Sequence, residues 1–569
     1  MSIKNTFKKN HIKFNYDYIY QSIKKINDFD EDEYSYFVKD VITILFESEK
    51  NGEVFIDVDN KIIDFDLYEK GWPNHHIEVL EKAGLINSEN SPIIFNKRKL
   101  SWIKWYKKFN KVKDQLKNKI SNKNFYLSSS YKLNNLKFIK ESFKYSDLIL
   151  LEGGPGTGKT TLVIKAILDL IKENSSLKIG LAAPTGKATA RLKDSIESQL
   201  IINNSKEYFI ECQTLHRWID DSIYKLEKLK FNLFDLDLIV IDEMSMVSFD
   251  IFSSILNAIS QDCKMILVGD SNQLPPINSC SIWNYIFDKT QENFLKEVTL
   301  NLKRIYRNSG DIINLSKSVI NKPSDFLNKE IELINSNKSS NVRIYNYDNY
   351  AIPEKLKIEI KRHLEELKSS VQKLSNKNYI FENNIDNLLE HEELLTNNIL
   401  KNLNSMLILC KRNKGPWSVK NINEVILGHD QSNDIDKLNE GIPIMCTKNN
   451  PSLGLSNGDI GVLIGKSETR KFLFRRFNKN NEPIINLVNP SKSINIVPAI
   501  AITIHKSQGS ESNKVIVLWN NSKNHLSSDL ETKKLVKPIY NNDFEKRLLY
   551  TAITRARNNL DLYYIKKNI

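Results

Sequence analysis

The stretch Gly153-Gly154-Pro155-Gly156-Thr157-Gly158-Lys159-Thr160, followed by Thr161, decides the fold of this chain. An apolar run at 148–151 precedes it, and apolar residues at helical spacing follow it over 162–171. A strand, a glycine-rich turn and a helix are the context that a phosphate-binding loop needs, because glycines let backbone N–H groups approach the phosphates at a helix N-terminus. We therefore predict a nucleotide site in which Lys159 reaches the β- and γ-phosphates and Thr160 binds magnesium.

Two strands that come later in the sequence are expected to supply acidic and amide groups to the same nucleotide site. Residues 238–241 form an apolar strand that ends in Asp242-Glu243, where a P-loop enzyme places a magnesium ligand and a carboxylate that polarises water. Residues 265–270 form another strand, and Gln273 follows it in a position to sense the γ-phosphate. The first domain therefore reads as alternating strands and helices, which predicts a parallel sheet.

Composition favours a multidomain protein with a polyanionic partner. The chain has 569 residues, a net charge of +13 and a charged fraction of 27%. This length predicts about three or four domains, and the positive charge favours nucleic acid. An Asn/Lys/Ile-rich composition imposed by an AT-rich genome would give the same charge, so the charge alone is weak evidence.

Cysteine usage and hydropathy exclude several classes of protein. The five cysteines are scattered without a CxxC pair, which argues against a zinc or iron–sulfur site and against a secreted disulfide framework. No signal peptide opens the sequence, and no apolar run reaches the roughly 18 residues that a membrane span needs. The expected location is the cytoplasm.

Changes in sequence texture divide the chain into an N-terminal domain over 1–125, a first parallel-sheet domain over 126–310 and a second one over 311–569. The first sheet domain has a small insertion at about 193–211. The second contains a charged helical surface insertion over 355–400 and a short-stranded β insertion over 458–498. In the N-terminal domain, Trp102, Trp105, Tyr106 and Phe109 recur at helical spacing among lysines. A core-facing stripe is favoured over a nucleic-acid platform for these aromatic residues.

Nine motifs in one order identify the family that this chain resembles. They are GGPGTGKTT (153–161), APTGKATARL (183–192), TLHR (214–217), DEMSM (242–246), GDSNQLPP (269–276), IYR (305–307), LGLSNGDIG (453–461), TIHKSQGSE (503–511) and YTAITRAR (550–557). The set resembles the superfamily-one helicases of the RecD type over about residues 147–565. Within that family the chain looks most like the RecD subunits of RecBCD-type exonuclease V complexes, because of its length, GPWSV (415–419) and an N-terminal domain without a helix–hairpin–helix extension.

This resemblance implies an α/β fold of two RecA-like domains, with a small SH3-like β-barrel insertion and an α-rich N-terminal domain. It implies ATP and Mg²⁺ as cofactors, with Thr160 and Asp242 on the metal and Glu243 activating water. Gln273 would couple hydrolysis to movement, Arg307 and Arg555 would act as arginine fingers on the γ-phosphate, and Tyr306 would stack on adenine. Gly509 and Glu511 would approach the ribose and phosphate. The residues implied to contact DNA are Thr185, His216, Arg217, His505 and Lys506.

Three features of the resemblance leave alternatives open. The family usually places a glutamine that reads adenine upstream of the P-loop, where this chain has Leu136, so either that contact is lost or the register differs. Trp283 and Trp417 could stack on bases or pack in the core. Since no nuclease signature is found, any nuclease activity is expected from partner subunits.

The expected function is an ATP-dependent 5′-to-3′ DNA helicase subunit that works with RecB-like and RecC-like partners in double-strand break repair and recombination. Three alternatives remain: a stand-alone RecD-type helicase, a nucleotide-gated subunit that only clamps DNA, and an RNA helicase. The intact Lys159, Glu243 and Arg555 argue against the clamp. Nothing in the sequence is suited to reading a 2′-hydroxyl.

Overall fold

In a computed structural model, the described residues form an N-terminal domain, two parallel α/β domains and an antiparallel sheet within the second of these. The structure describes residues 20–21, 23, 31–50, 52–59, 65–88, 91–120, 135–202, 209–224, 233–276, 279–287, 293–306, 310–321, 341–375, 390–450, 453, 455–465, 470–477, 483–489, 495–520 and 542–565. The described strands are β1 (Ile56–Asp57), β2 (Ile93–Asn96), β3 (Lys99–Trp102), β4 (Leu148–Gly153), β5 (Lys178–Ala183), β6 (Phe209–Thr214), β7 (Leu238–Ile241), β8 (Lys264–Gly269), β9 (Thr299–Leu302), β10 (Val342–Tyr347), β11 (Met406–Cys410), β12 (Pro443–Cys446), β13 (Ile460–Ile464), β14 (Lys471–Phe477), β15 (Pro483–Val488), β16 (Ile496–Pro498), β17 (Ile502–Thr503), β18 (Ser512–Asn520) and β19 (Ala556–Ile565).

Helices cover the faces of the sheets. The α-helices within the described residues are Glu31–Lys50, Phe65–Glu69, Asn74–Lys82, Ile103–Lys119, Asn135–Ser142, Lys159–Glu173, Gly186–Ile202, Leu215–Tyr224, Phe249–Ala258, Ile282–Ile286, Asn293–Glu297, Gly310–Asn321, Glu354–Ser375, Glu390–Leu403, Val419–Leu427, His429–Asn433 and Asn542–Ile553. None of these helices is long and apolar enough to cross a membrane.

The first RecA-like domain is built on a six-stranded sheet in the order β6-β5-β7-β8-β4-β9, with every neighbouring pair parallel. Its central strands are apolar on both faces because helices cover both sides. The stretch 193–211, predicted as a small insertion, contributes the end of the helix Gly186–Ile202 and the start of β6. The parallel α/β architecture that the sequence predicted is confirmed.

The second RecA-like domain has a five-stranded parallel sheet in the order β10-β19-β18-β11-β17. The three central strands of this sheet, β19, β18 and β11, are largely buried and apolar. The apolar run at 443–446 forms strand β12, which lies outside this sheet. Strand β12 pairs instead with β13 and β16 in a separate antiparallel sheet.

This antiparallel sheet has five strands in the order β15-β14-β13-β12-β16 and lies within the second RecA-like domain. It starts at β12, before the predicted boundary at 458, because β12 pairs with both β13 and β16. One face packs against the helices Glu354–Ser375 and Glu390–Leu403 through a cluster that includes Leu367, Val371 and Ile399. The charged segment 355–400 therefore contributes helices with an apolar face directed at the sheet. The SH3-like classification of this insertion stays a prediction.

The N-terminal domain packs directly on the first RecA-like domain. A three-stranded sheet in the order β1-β3-β2 and the helix Glu31–Lys50 enclose a separate small core. The helix Ile103–Lys119 leaves this domain and buries Trp105 and Phe109 in the core of the first RecA-like domain. The Phe109 ring lies 6.2 Å from that of Phe249 and 3.9 Å from that of Tyr285. The aromatic stripe is therefore core packing.

Phe109→Ala should lower stability without changing DNA affinity. The buried ring joins two domains, so we expect a loss of about 3–5 kcal/mol, seen as a lower melting temperature. Lys107→Ala, on the exposed face of the same helix, is the control and should leave the melting temperature within about 1 °C of wild type. Weaker binding to single-stranded DNA with an unchanged melting temperature would instead support a nucleic-acid platform.

Candidate active site between the two parallel sheets

The phosphate-binding loop follows β4 and leads directly into the helix Lys159–Glu173. Gly156 and Gly158 adopt φ values of 76° and 82°, a left-handed conformation that side chains with a Cβ rarely adopt. The Lys159 amine donates to the carbonyl oxygens of Gly153 and Gly154, the latter at 3.1 Å. The loop therefore exposes its backbone N–H groups at a helix N-terminus, as the sequence predicted for a phosphate site.

The predicted metal ligands come together at the ends of two strands. The Thr160 hydroxyl donates to Asp242 Oδ2 at 3.2 Å, which joins the P-loop helix to the end of β7. Burial, with a smaller contribution from Glu243, raises the pKa of Asp242 to about 6. A hydroxyl and a buried carboxylate are hard oxygen ligands that suit Mg²⁺, and a cation would also compensate the cost of keeping that carboxylate charged.

Glu243 follows Asp242 in an unusual backbone conformation. Its φ of 56° lies in the left-handed region, which is uncommon for a residue with a side chain, and its N–H donates to Asp242 Oδ1 at 2.8 Å. Strain of this kind persists where the surroundings enforce it, often at functional sites. The side chain lines the same cleft as the P-loop and Asp242.

Arg555 completes the cleft from the second RecA-like domain. Its guanidinium donates to Gln273 Oε1 at 3.3 Å, to the Ser510 carbonyl at 3.2 Å and to the Thr551 carbonyl at 3.1 Å. Gln273 lies on the first RecA-like domain, just after β8. Burial lowers the pKa of Arg555, whereas the carboxylates of Glu243 and Glu511 favour its charged form. The predicted arginine finger and the predicted γ-phosphate sensor are therefore in direct contact across the domain interface.

Other predicted ligands line the second-domain side of the cleft. Gly509 has a φ of 71°, and Glu511 Oε1 accepts from Arg191 at 2.9 Å and from Arg557 at 3.0 Å. Arg191 lies on the helix Gly186–Ile202 of the first domain, so this ion pair also spans the interface. Both Gly509 and Glu511 line the cleft together with the P-loop.

Tyr306 and Leu136 lie in different surroundings near the P-loop. Tyr306 is 68% exposed, and its N–H donates to the Gly156 carbonyl at 2.8 Å, which places the residue beside the P-loop with the Arg304 guanidinium over its ring. Leu136 packs against the apolar core beneath the helix Lys159–Glu173. The predicted second arginine finger, Arg307, lies outside the described residues.

The residues implied to contact DNA lie at carboxyl ends of strands on each sheet. Thr185 follows β5, and the exposed His216 and Arg217 follow the adjacent edge strand β6. His505 and Lys506 follow β17, the edge strand of the second sheet, and burial lowers the pKa of both side chains. In parallel sheets this edge is where ligands bind.

Lys187 has a role in the structure that the sequence did not indicate. The Lys187 amine donates to Ser510 Oγ at 2.7 Å across the domain interface. Burial lowers the pKa of this amine. Lys187 lies four residues before Arg191 on one helix, so the sequence could have predicted that both cations lie on the same face of that helix.

A buried polar cluster behind the P-loop was missed from sequence. Trp283 Nε1 donates to Glu152 Oε2 at 2.9 Å, and the Tyr550 hydroxyl donates to Asp270 Oδ2 at 3.0 Å. Burial, with Asp270 as the next cause, raises the pKa of Glu152 to about 7. Trp283 and Trp417 are both buried, so core packing is the correct alternative for these two residues. Acidic residues near strand ends are too common for sequence to have identified this pair.

Comparisons with known proteins agree with this geometry. The model of an AAA domain matches residues 138–279, and that of a UvrD-like helicase C-terminal domain matches residues 462–567. The RecBCD enzyme subunit RecD of Buchnera aphidicola from Acyrthosiphon pisum is 28% identical over 91% of this chain and 87% of its own length. The corresponding subunit from the Schizaphis graminum strain is 28% identical over 92% of each chain. Over most of its length this chain is therefore similar to the RecD subunits of RecBCD enzymes.

These similarities confirm the prediction of an ATP-dependent DNA helicase, and therefore of an ATP hydrolase. The ATP-dependent RecD2 DNA helicase of Deinococcus radiodurans is 36% identical, but over only 23% of this chain and 16% of its own length. The crystal structure of a Bacteroides Pif1 helicase with ADP-AlF3 and single-stranded DNA aligns with a TM-score of 0.39 and 18% identity, over 76% of this chain and 92% of that chain. A score this low supports no functional argument.

Glu152→Gln should change how stability depends on pH. The pKa of Glu152 is about 7 in the folded chain, above the 4.5 of an unperturbed glutamate, so folding retains a proton there. This contribution to stability is complete below about pH 4.5 and is lost as the pH rises through about 7. The melting temperature of the variant should therefore rise relative to wild type between about pH 5 and pH 8.

Glu365→Gln, at an exposed position, is the control for the effect of replacing a glutamate by glutamine outside the buried cluster. A change of equal size and sign in that control would contradict the assignment to the buried cluster.

Proposed function

We propose that this chain is the 5′-to-3′ DNA translocase subunit of a RecBCD-type helicase–nuclease that acts in double-strand break repair and recombination. The observation that carries the proposal is the cleft in which the P-loop, Asp242, Glu243 and Gln273 of one sheet meet Arg555 of the other. Such a cleft can convert a change at the γ-phosphate into relative movement of two domains.

Nucleotide binding uses the P-loop backbone and the N-terminus of the helix Lys159–Glu173. The Lys159 amine, bonded here to two loop carbonyls, would exchange these acceptors for phosphate oxygens. Thr160 and Asp242 would hold Mg²⁺, which supplies positive charge to the phosphates. Tyr306 is exposed beside the P-loop, with the Arg304 guanidinium 4.9 Å from the centre of its ring, and the ring would stack on adenine.

Hydrolysis requires a base for the attacking water and positive charge at the γ-phosphate. Glu243 is held at the cleft by its strained backbone and would accept the proton from water. Arg555 would stabilise the charge that develops on the transferred group, and Arg307 is proposed as a second cation there. The hydrogen bond between Arg555 and Gln273 would link the state of the nucleotide to the position of the second domain.

Translocation then requires DNA contacts on both moving domains. Thr185, His216 and Arg217 would contact the strand from the first domain, and His505 and Lys506 from the second. Burial lowers the pKa of Lys506, which favours a phosphate contact because an anion stabilises a poorly solvated ammonium group. A change in the cleft would move one set of contacts relative to the other along the strand.

Assembly with RecB-like and RecC-like subunits is the part of the proposal that rests on the relatives. Both Buchnera relatives are named as subunits of a RecBCD enzyme, and this chain covers most of their length. We propose the N-terminal domain as the docking unit, because its exposed Tyr36 and Tyr68 lie outside the catalytic cleft. The partners would then supply the nuclease activity.

Arg555→Ala should lower the rate of DNA-stimulated ATP hydrolysis by about 1,000-fold or more, as removal of an arginine finger does. The affinity for a nonhydrolysable ATP analogue should fall much less, because the largest contribution of Arg555 arises at the transition state. Arg362→Ala removes an exposed arginine from the helix Glu354–Ser375 and is the control. Equal losses of affinity and turnover in Arg555→Ala would make Arg555 a ground-state ligand.

Affinity purification of the tagged chain from its own host should recover RecB-like and RecC-like subunits. Lys159→Ala should recover the same subunits, because assembly needs no hydrolysis, while losing DNA-stimulated ATPase activity. Mass spectrometry and an ATPase assay on the same samples measure both properties. A monomer that efficiently unwinds 5′-tailed duplex without partners would favour a stand-alone helicase.

A further inference from the structure

A helix end in the N-terminal domain contacts the catalytic loop of the first RecA-like domain. The helix Glu31–Lys50 ends in two hydrogen bonds, from Gly52 N to the Glu49 carbonyl and from Glu53 N to the Ser48 carbonyl, both at 2.9 Å. This is a Schellman motif with Gly52 in the left-handed position, at a φ of 85°. Gly52 packs so closely that an added Cβ would lie 2.5 Å from Pro275 Cβ.

Pro275 lies two residues after Gln273, in the loop that carries the γ-phosphate sensor. The residue between them, Leu274, is held by the second RecA-like domain on both backbone groups. Its N–H donates to Thr551 Oγ1 at 3.3 Å, and its carbonyl accepts from Gln508 Nε2 at 3.3 Å. The sensor loop is therefore fixed between two domains, and the N-terminal domain contacts its end.

Further contacts secure the same junction. The Ser281 N–H donates to the Gly52 carbonyl at 2.9 Å, and the Cys280 thiol donates to the Glu53 carbonyl at 3.5 Å. Pro275 and Cys280 are both buried. Pro275 on one side of 277–278, and Cys280 and Ser281 on the other, thus contact the end of the helix Glu31–Lys50.

We infer that the end of the helix at Gly52 positions the ATPase site. Its contact fixes the position of Pro275, and Pro275 in turn fixes the position of Gln273 relative to Arg555. The N-terminal domain then determines the turnover rate as well as any assembly with partners. A subunit bound to this domain could alter ATP hydrolysis through the same contact. This inference rests on the proposed ATPase function of the cleft.

The chain contains a matched control for this contact. Gly84 ends the helix Asn74–Lys82 of the same domain with the same motif, in which Gly84 N bonds to the Glu81 carbonyl and Leu85 N to the Leu80 carbonyl. Its φ is 66°, and an added Cβ would meet no atom within 4 Å. Alanine at Gly52 or Gly84 therefore introduces a similar backbone strain, but only the substitution at Gly52 displaces Pro275.

The experiment compares Gly52→Ala and Gly84→Ala in the full chain, measuring the melting temperature and steady-state ATP hydrolysis with and without single-stranded DNA. Both variants should lose stability, and Gly52→Ala should lose more because its added Cβ meets Pro275. A displacement approaching 1 Å in a catalytic loop can lower the rate by about 100-fold, so we expect kcat of Gly52→Ala to fall at least about tenfold, with the KM for ATP within about threefold. Equal kcat values in two folded variants would overturn the inference.

A second variant, Pro275→Gly, tests the contact from the other side and serves if Gly52→Ala does not fold. It removes the atom that an alanine at position 52 would strike, so the double variant should have the same kcat as Pro275→Gly alone. Pro275→Gly with the kcat of wild type, or a double variant in which the losses multiply, would overturn the inference. A wild-type chain without DNA-stimulated ATPase activity would instead refute the proposed function.

Discussion

The hydrogen bond between Arg555 and Gln273 is the constraint on which the functional geometry depends. The P-loop, the proposed metal ligands and Gln273 all belong to one sheet, whereas Arg555, which is proposed to face the γ-phosphate, belongs to the other. An ATP site completed by a second domain is sensitive to the distance between domains. The reverse also holds: loss of the γ-phosphate would change the interactions that hold the two sheets together.

The interface around this bond is polar and charged. Lys187 bonds to Ser510, Arg191 pairs with Glu511 and Tyr550 bonds to Asp270, each across the same cleft. Polar interfaces of this kind suit domains that move, since their hydrogen bonds can be exchanged for water or ligand without exposing a large apolar surface. Apolar cores cover the faces of each sheet, and the core of the second domain also includes Leu274, which follows Gln273 in the first domain.

Burial makes the charged groups of the cleft costly in free energy, and a bound nucleotide would lower that cost. Burial raises the pKa of Asp242 and lowers those of Lys187 and Arg555, so each of these groups holds its charge at a cost in free energy. A polyphosphate with its cation brings complementary charge of both signs to this site. The same low dielectric strengthens the interactions that form in the transition state. The N-terminal domain adds a mechanical constraint through Gly52 and Pro275, so three domains meet at the sensor loop.

The sequence by itself determined the chemistry of this protein, because that chemistry is encoded in short local patterns. A glycine-rich turn between a strand and a helix exposes its N–H groups wherever it occurs, and Asp242-Glu243 at the end of an apolar strand must reach the same edge of a parallel sheet. Contacts between residues distant in sequence were decided only by the tertiary structure. The placement of β12 in the antiparallel sheet, the burial of Trp283 on Glu152 and the packing of Gly52 on Pro275 each depend on which surfaces meet when separate units dock. Docking is governed by the shape and apolar area of whole surfaces, and these are properties of the folded domains that no local pattern specifies.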